Sequence, residues 1–104
     1  MENTKVYRGQ VIRVQWNKTD AQWYFCITDV LNILLKIKDS RPEWRKLKRK
    51  HPETETLCFG FKMQDANEQN RIIECANKYG ILRIINILPE TIDNELFKVW
   101  LARM

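Results

Sequence analysis

Residues 77–88, NKYGILRIINIL, admit two readings that lead to different folds. The isoleucine-rich half suits a buried strand by propensity. Asn77, however, is a good N-cap and places Gly80 in a first helical turn, where it does little harm. Tyr79, Leu82 and Ile85 then line one face, and Pro89 ends the helix. The helical reading is the one adopted. A second helix follows, with Asp93 as its cap and Ile92 and Phe97 spaced as a hydrophobic staple. Its apolar face is Leu96, Phe97, Trp100, Leu101 and Met104. The sequence stops within that face, which suggests a domain cut from a longer chain.

Upstream, Leu57, Phe59 and Phe61 alternate with Cys58, Gly60 and Lys62, the period of a strand. The polar segment 64–70, apolar only at Ala66, reads as a loop, and Arg71 to Cys75 return as the partner strand. Earlier still, Ile12, Val14 and Trp16 alternate with Arg13, Gln15 and Asn17. Lys18 to Gln22 turn the chain, and Trp23, Phe25 and Ile27 form a second alternating set. Thr28 can cap a largely buried helix from Asp29 to about Ile37. The expected fold is α+β, two β-hairpins packed with about four helices in the order ββααββαα. Two consecutive helices followed by a hairpin are compatible with a helix-turn-helix or winged arrangement. The 104 residues are enough for a single domain, 1–104, and order is expected beyond the first few residues.

The charge is concentrated. Residues 36–51, KIKDSRPEWRKLKRKH, hold eight of the eighteen lysines and arginines against two acids, while the whole chain carries only +5. The stretch therefore contains the entire positive excess, a directed field rather than a general solubility charge. Ser40 and Glu43 have capping-box spacing, with Pro42 in the first turn. Trp44, Leu47 and His51 fall on one face, and Arg45, Lys46, Arg49 and Lys50 on the other. Like charges at i,i+4 repel, with only Glu43 to offset Lys46. Such a face gains from an anionic partner.

Other classes have little support. Cys26, Cys58 and Cys75 are odd in number, widely spaced and set in apolar segments, so they read as buried thiols of a reducing, cytoplasmic compartment. With one histidine and no C-x-x-C pair, no familiar zinc set is present. No cofactor and no small-molecule substrate are implied. Nucleophile-elbow, P-loop and paired-acid motifs are absent, so the chain is not expected to be an enzyme. Nor is membrane binding expected, because Trp44 and Leu47 give the basic helix too little apolar area to insert.

The segments IRVQW, a polar turn and WYFCITDVLNIL resemble the opening of the BRO-N domain. The stretch ANKYGILRIINILPETIDNELFKVWLARM resembles that family's N-x-x-G turn, apolar helix, short loop and F-K-x-W-L helix, through Asn77, Gly80, Phe97, Lys98, Trp100 and Leu101. Ile81, where a Tyr or Phe is often found, and the Pro loop depart from the pattern. The resemblance implies an N-terminal module of phage and prophage antirepressors that binds DNA in transcription regulation.

The expected function is therefore duplex-DNA binding. Arg45, Lys46, Arg49 and Lys50 are expected to meet phosphates, flanked by Arg41 and Lys48, with Lys62 and Arg71 on or near the wing. Specificity requires base-edge contacts, for which Arg45 and Arg49 are the candidates. The alternative is a protein-interaction module that binds a repressor or self-associates, through an apolar patch that includes Trp100 and Met104.

Overall fold

The computed structural model describes residues 3–65 and 67–104. Its elements are β1 (Thr4–Tyr7), β2 (Gln10–Asn17), β3 (Gln22–Cys26), α1 (Ile27–Leu35), α2 (Arg41–Lys50), a 3-10 helix (Pro52–Leu57), β4 (Phe59–Gln64), β5 (Asn70–Asn77), α3 (Lys78–Asn86) and α4 (Ile92–Ala102). The class is α+β. Both predicted hairpins form, but as parts of one antiparallel sheet in the order β1-β2-β3-β5-β4. They are joined where Tyr24, Phe25 and Cys26 lie opposite Asn77, Ala76 and Cys75. The loop expected at 64–70 is shorter, because Gln64 and Asn70 are already paired. Ala66, within that loop, lies outside the described residues.

Strand β1 was not anticipated. It pairs with β2 through a two-residue turn in which Arg8 and Gly9 both have positive φ, 49° and 79°. That geometry matches the right-handed twist of a hairpin. On the helix-covered face, Ile12, Val14, Phe25 and Ala76 meet Val30, Leu31 and Leu34 of α1, Ile81, Ile84 and Ile85 of α3, Phe97 and Leu101 of α4, and Trp44 of α2. The opposite face carries a smaller cluster of strand residues, Tyr24, Cys26, Met63 and Cys75, with Phe61 and Ile73 against it.

Several helix ends differ from the expected ones. Helix α1 starts at Ile27 rather than Asp29, and Thr28 does not cap it. It ends at Leu35, where Lys36 turns left-handed at φ 58° and Ile37 N–H returns to the Asn32 carbonyl. Asp93 does not cap α4. Thr91 does, its Oγ1 accepting from Asn94 N–H at 3.0 Å. Ile92 is 80% exposed, so the predicted staple with buried Phe97 does not form.

Helix α3 bears out the helical reading and the Asn77 cap, but it spans Lys78–Asn86 and ends before Pro89 is reached. The Asn77 side chain accepts from Gly80 N–H at 2.8 Å. The buried face is instead Gly80, Ile81, Ile84 and Ile85, with Tyr79 exposed. Gly80 is needed for packing, because a Cβ there would lie 2.8 Å from the Cβ of Ala76 on β5.

Candidate nucleic-acid interface

Helix α2 owes its placement to contacts on its inner side. Ser40, fully buried, ties the start of α2 to α1. Its N–H donates to Asn32 Oδ1 and its Oγ to the Thr28 carbonyl, both at 2.8 Å. The predicted capping box is therefore absent, since the Ser40 N–H that Glu43 would accept from is already taken. One Glu43 carboxylate oxygen is buried without a hydrogen-bond partner, and Glu43 makes no ion pair with Lys46 among the described residues. Trp44 is the main anchor, buried in the core, with its Nε1 donating to Glu74 of β5 at 3.1 Å.

Lys48, expected to flank the outer face, points inward. Its Nζ donates to Glu74 at 2.7 Å and lies 3.8 Å from Glu55. The spacing of four from Trp44 contained this signal, because it puts Lys48 in the same helical sector. Burial is the strongest single influence opposing ionisation of Glu74. The hydrogen bonds from Lys48, Trp44 and Cys58, with the Lys48 charge, leave the Glu74 pKa below its ordinary value all the same. The same hydrogen bond raises the pKa of Lys48. Glu55, Cys58 and Glu74 bring metal-type ligand atoms within 4.8 Å of one another, a grouping the sequence reading missed. The Lys48 ammonium already supplies the cation among them.

With its inner face fixed, α2 presents Arg45, Lys46, Arg49 and Lys50 to solvent. Among the described residues none of the four belongs to an ion pair. Lys62 is exposed on edge strand β4, opposite Ile72, and strand alternation puts it on the sheet face that carries Glu74 and α2. The other two predicted contacts are engaged within the chain. Arg41 donates to both Asp39 carboxylate oxygens, at 2.9 and 2.8 Å, and these bonds hold the Asp39 pKa down at about 2. Arg71 donates to Asp65, which also accepts from the backbone N–H groups of Asn67 and Gln69.

These two pairs border a cleft of about 780 Å³, between the start of α1, the α1–α2 link and the tip of the β4–β5 hairpin. It opens because β3 ends at Cys26 while its neighbours β2 and β5 run on. Arg13 and Asp29 line the same cleft, joined by two side-chain hydrogen bonds of 2.8 and 2.9 Å. Asp29, read from sequence as a helix-start charge, thus has a specific strand partner. The thiols offer no activated nucleophile. Burial, first among the causes, pushes Cys58 up to about 12 and raises Cys26 and Cys75 as well.

Comparison with family models, with curated proteins and with solved structures gives no match. Among the described residues no helix is long and apolar enough to cross a membrane.

Proposed function

We propose that this chain is a duplex-DNA-binding module that grips phosphates with the outward face of α2. The observation that carries this reading is the set Arg45, Lys46, Arg49 and Lys50, exposed together and free of ion pairs among the described residues. Four unpaired cations on one face repel one another, and a polyanion relieves that repulsion while releasing its own counterions. Lys62 extends the surface. In this reading α1 and α2 act as the helix pair and the β4–β5 hairpin stands beside them as a wing would. Arg45 and Arg49 are the candidates for base edges.

The resemblance to BRO-N domains supports a role in transcription regulation of the antirepressor type.

A random-sequence duplex titrated at several salt concentrations tests the reading. The expected log–log salt slope is about −4, corresponding to four or five phosphates. Replacing Arg45, Lys46, Arg49 and Lys50 by Ala should flatten that slope and lower affinity by at least about a hundredfold at low salt. Absence of binding at about 50 mM salt, where electrostatic attraction is strong, would refute the proposal.

A further inference from the structure

The apolar face predicted for α4 is turned inward in part. Phe97 and Leu101 are buried, and Tyr7 of β1 packs edge-on against Phe97 and Trp100 at 5.0 and 5.3 Å. The set that faces out shares only Leu96 with the predicted face. Ile92, Leu96 and Val99 are 80%, 41% and 53% exposed, and their spacing of four and then three aligns them in one stripe. This is the seam period of a coiled coil, in which a helix packs against another helix of the same pattern.

We propose that this stripe is a two-fold interface through which two copies of the chain associate, their α4 helices antiparallel. The charges around the stripe set the direction. Glu90 precedes α4, Asp93 and Glu95 lie in its first turn, Lys98 lies near its middle and Arg103 just past its end. Asp93 is paired with Lys36 at 2.9 Å and Glu95 with Lys98 at 3.2 Å. Glu90 and Arg103 have no ion-pair partner among the described residues. Arg103 also continues the stripe, four residues beyond Val99. An antiparallel second copy brings its Arg103 beside Glu90 at both ends of the seam, as two-fold symmetry requires. A parallel copy sets like charges and like helix dipoles side by side.

The stripe from residue 92 to 103 is only about 16 Å long, so the contact belongs to the small, weak class of interfaces. Helix α4 lies at the β1 end of the sheet and α2 beside β5, toward the β4 end. Association through α4 therefore leaves both α2 faces open. The inference does not depend on what α2 binds.

Sedimentation equilibrium of the full chain from about 10 μM to about 1 mM tests it, the range in which a weak interface populates a dimer. The expected result is a monomer–dimer equilibrium, with the dissociation constant raised at least tenfold by Leu96→Glu together with Val99→Glu. Glu90→Arg or Arg103→Glu alone should weaken the dimer, and the two together should restore it. These surface charge swaps keep the test valid even if the Glu pair impairs folding. A strict monomer at about 1 mM, a dimer indifferent to all of these changes, or a double swap that fails to restore association overturns the proposal.

Discussion

The outer face of α2 and the cleft beside β3 each carry four cations, yet in the cleft most of that charge is matched by acids. On α2, Arg45, Lys46, Arg49 and Lys50 are exposed and free of ion pairs among the described residues. In the cleft, Arg13, Lys38, Arg41 and Arg71 share the wall with Asp29, Asp39 and Asp65, and each arginine is held by one of those acids. Counting basic residues therefore overstates the second region. What a polyanion meets is the unpaired charge, and the pairing is set by which strand or turn brings an acid alongside. Lys48 makes the same point within α2, since it shares the basic stretch but belongs to Glu74.

The contrast is lost most severely if the anchor of the outer face is removed. Trp44→Ala should cost roughly 3–5 kcal/mol, as for large buried aromatics, and lower the melting temperature by more than about 10 °C. Duplex affinity should fall with it, because the four outward cations lose their support. A calorimetric scan showing little change would mean that α2 is held by something other than Trp44.

A smaller loss is expected from Gly80→Ala, which alters none of the charged side chains. Helix propensity favours alanine, by less than about 1 kcal/mol in a first turn. The clash with Ala76 should reverse the sign and destabilise by roughly 1–3 kcal/mol. In denaturant titrations the midpoint drops, while the salt slope of duplex binding stays at the wild-type value. Stability and charge are thereby separated.

The difference between the two regions narrows if the cleft is made to resemble α2. Asp39→Asn with Asp65→Asn releases Arg41 and Arg71, and the new amide at position 65 keeps an oxygen for the turn. Duplex affinity should rise by about tenfold at low salt and its log–log slope steepen by up to about two. In the unmodified protein, Arg41→Ala with Arg71→Ala should change affinity by less than about twofold, since each of these arginines is already matched by an adjacent carboxylate. Anisotropy titrations that show a large loss in the second variant would place the cleft in the interface.

The mildest effect is the response to pH. The folded pKa of Glu74 lies below its ordinary 4.5, so its contribution is complete above that value and disappears as pH falls through the folded pKa. The pKa of Lys48 is raised above 10.5, so its share is complete below that value and is lost as pH rises through the folded pKa. Melting curves should therefore show an acid limb that Glu74→Gln makes shallower. An unchanged acid limb would mean that the pair adds nothing to stability.

Local pattern was enough for the α+β class, the two hairpins, the four α-helices and the division of α2 into an apolar and a basic face, but not for the 3-10 helix that takes Leu57 out of the expected strand. Alternation, 3.6-residue periodicity, the Asn77 cap and the run of like charge all act between near neighbours in the chain. Long-range packing was needed to merge the hairpins into one sheet, add β1, turn Lys48 toward Glu74 twenty-six residues away and pair Arg13 with Asp29. The caps shifted for the same reason. The Ser40 hydroxyl and N–H serve α1 rather than a capping box on α2, because Asn32 and Thr28 reach them first in the folded chain. Ile92 and Phe97 have staple spacing, but Phe97 packs on Tyr7 of a strand about ninety residues earlier and leaves Ile92 outside. Which charges stay free and which apolar residues stay exposed depends on contacts between distant segments, and those are fixed only when the sheet closes.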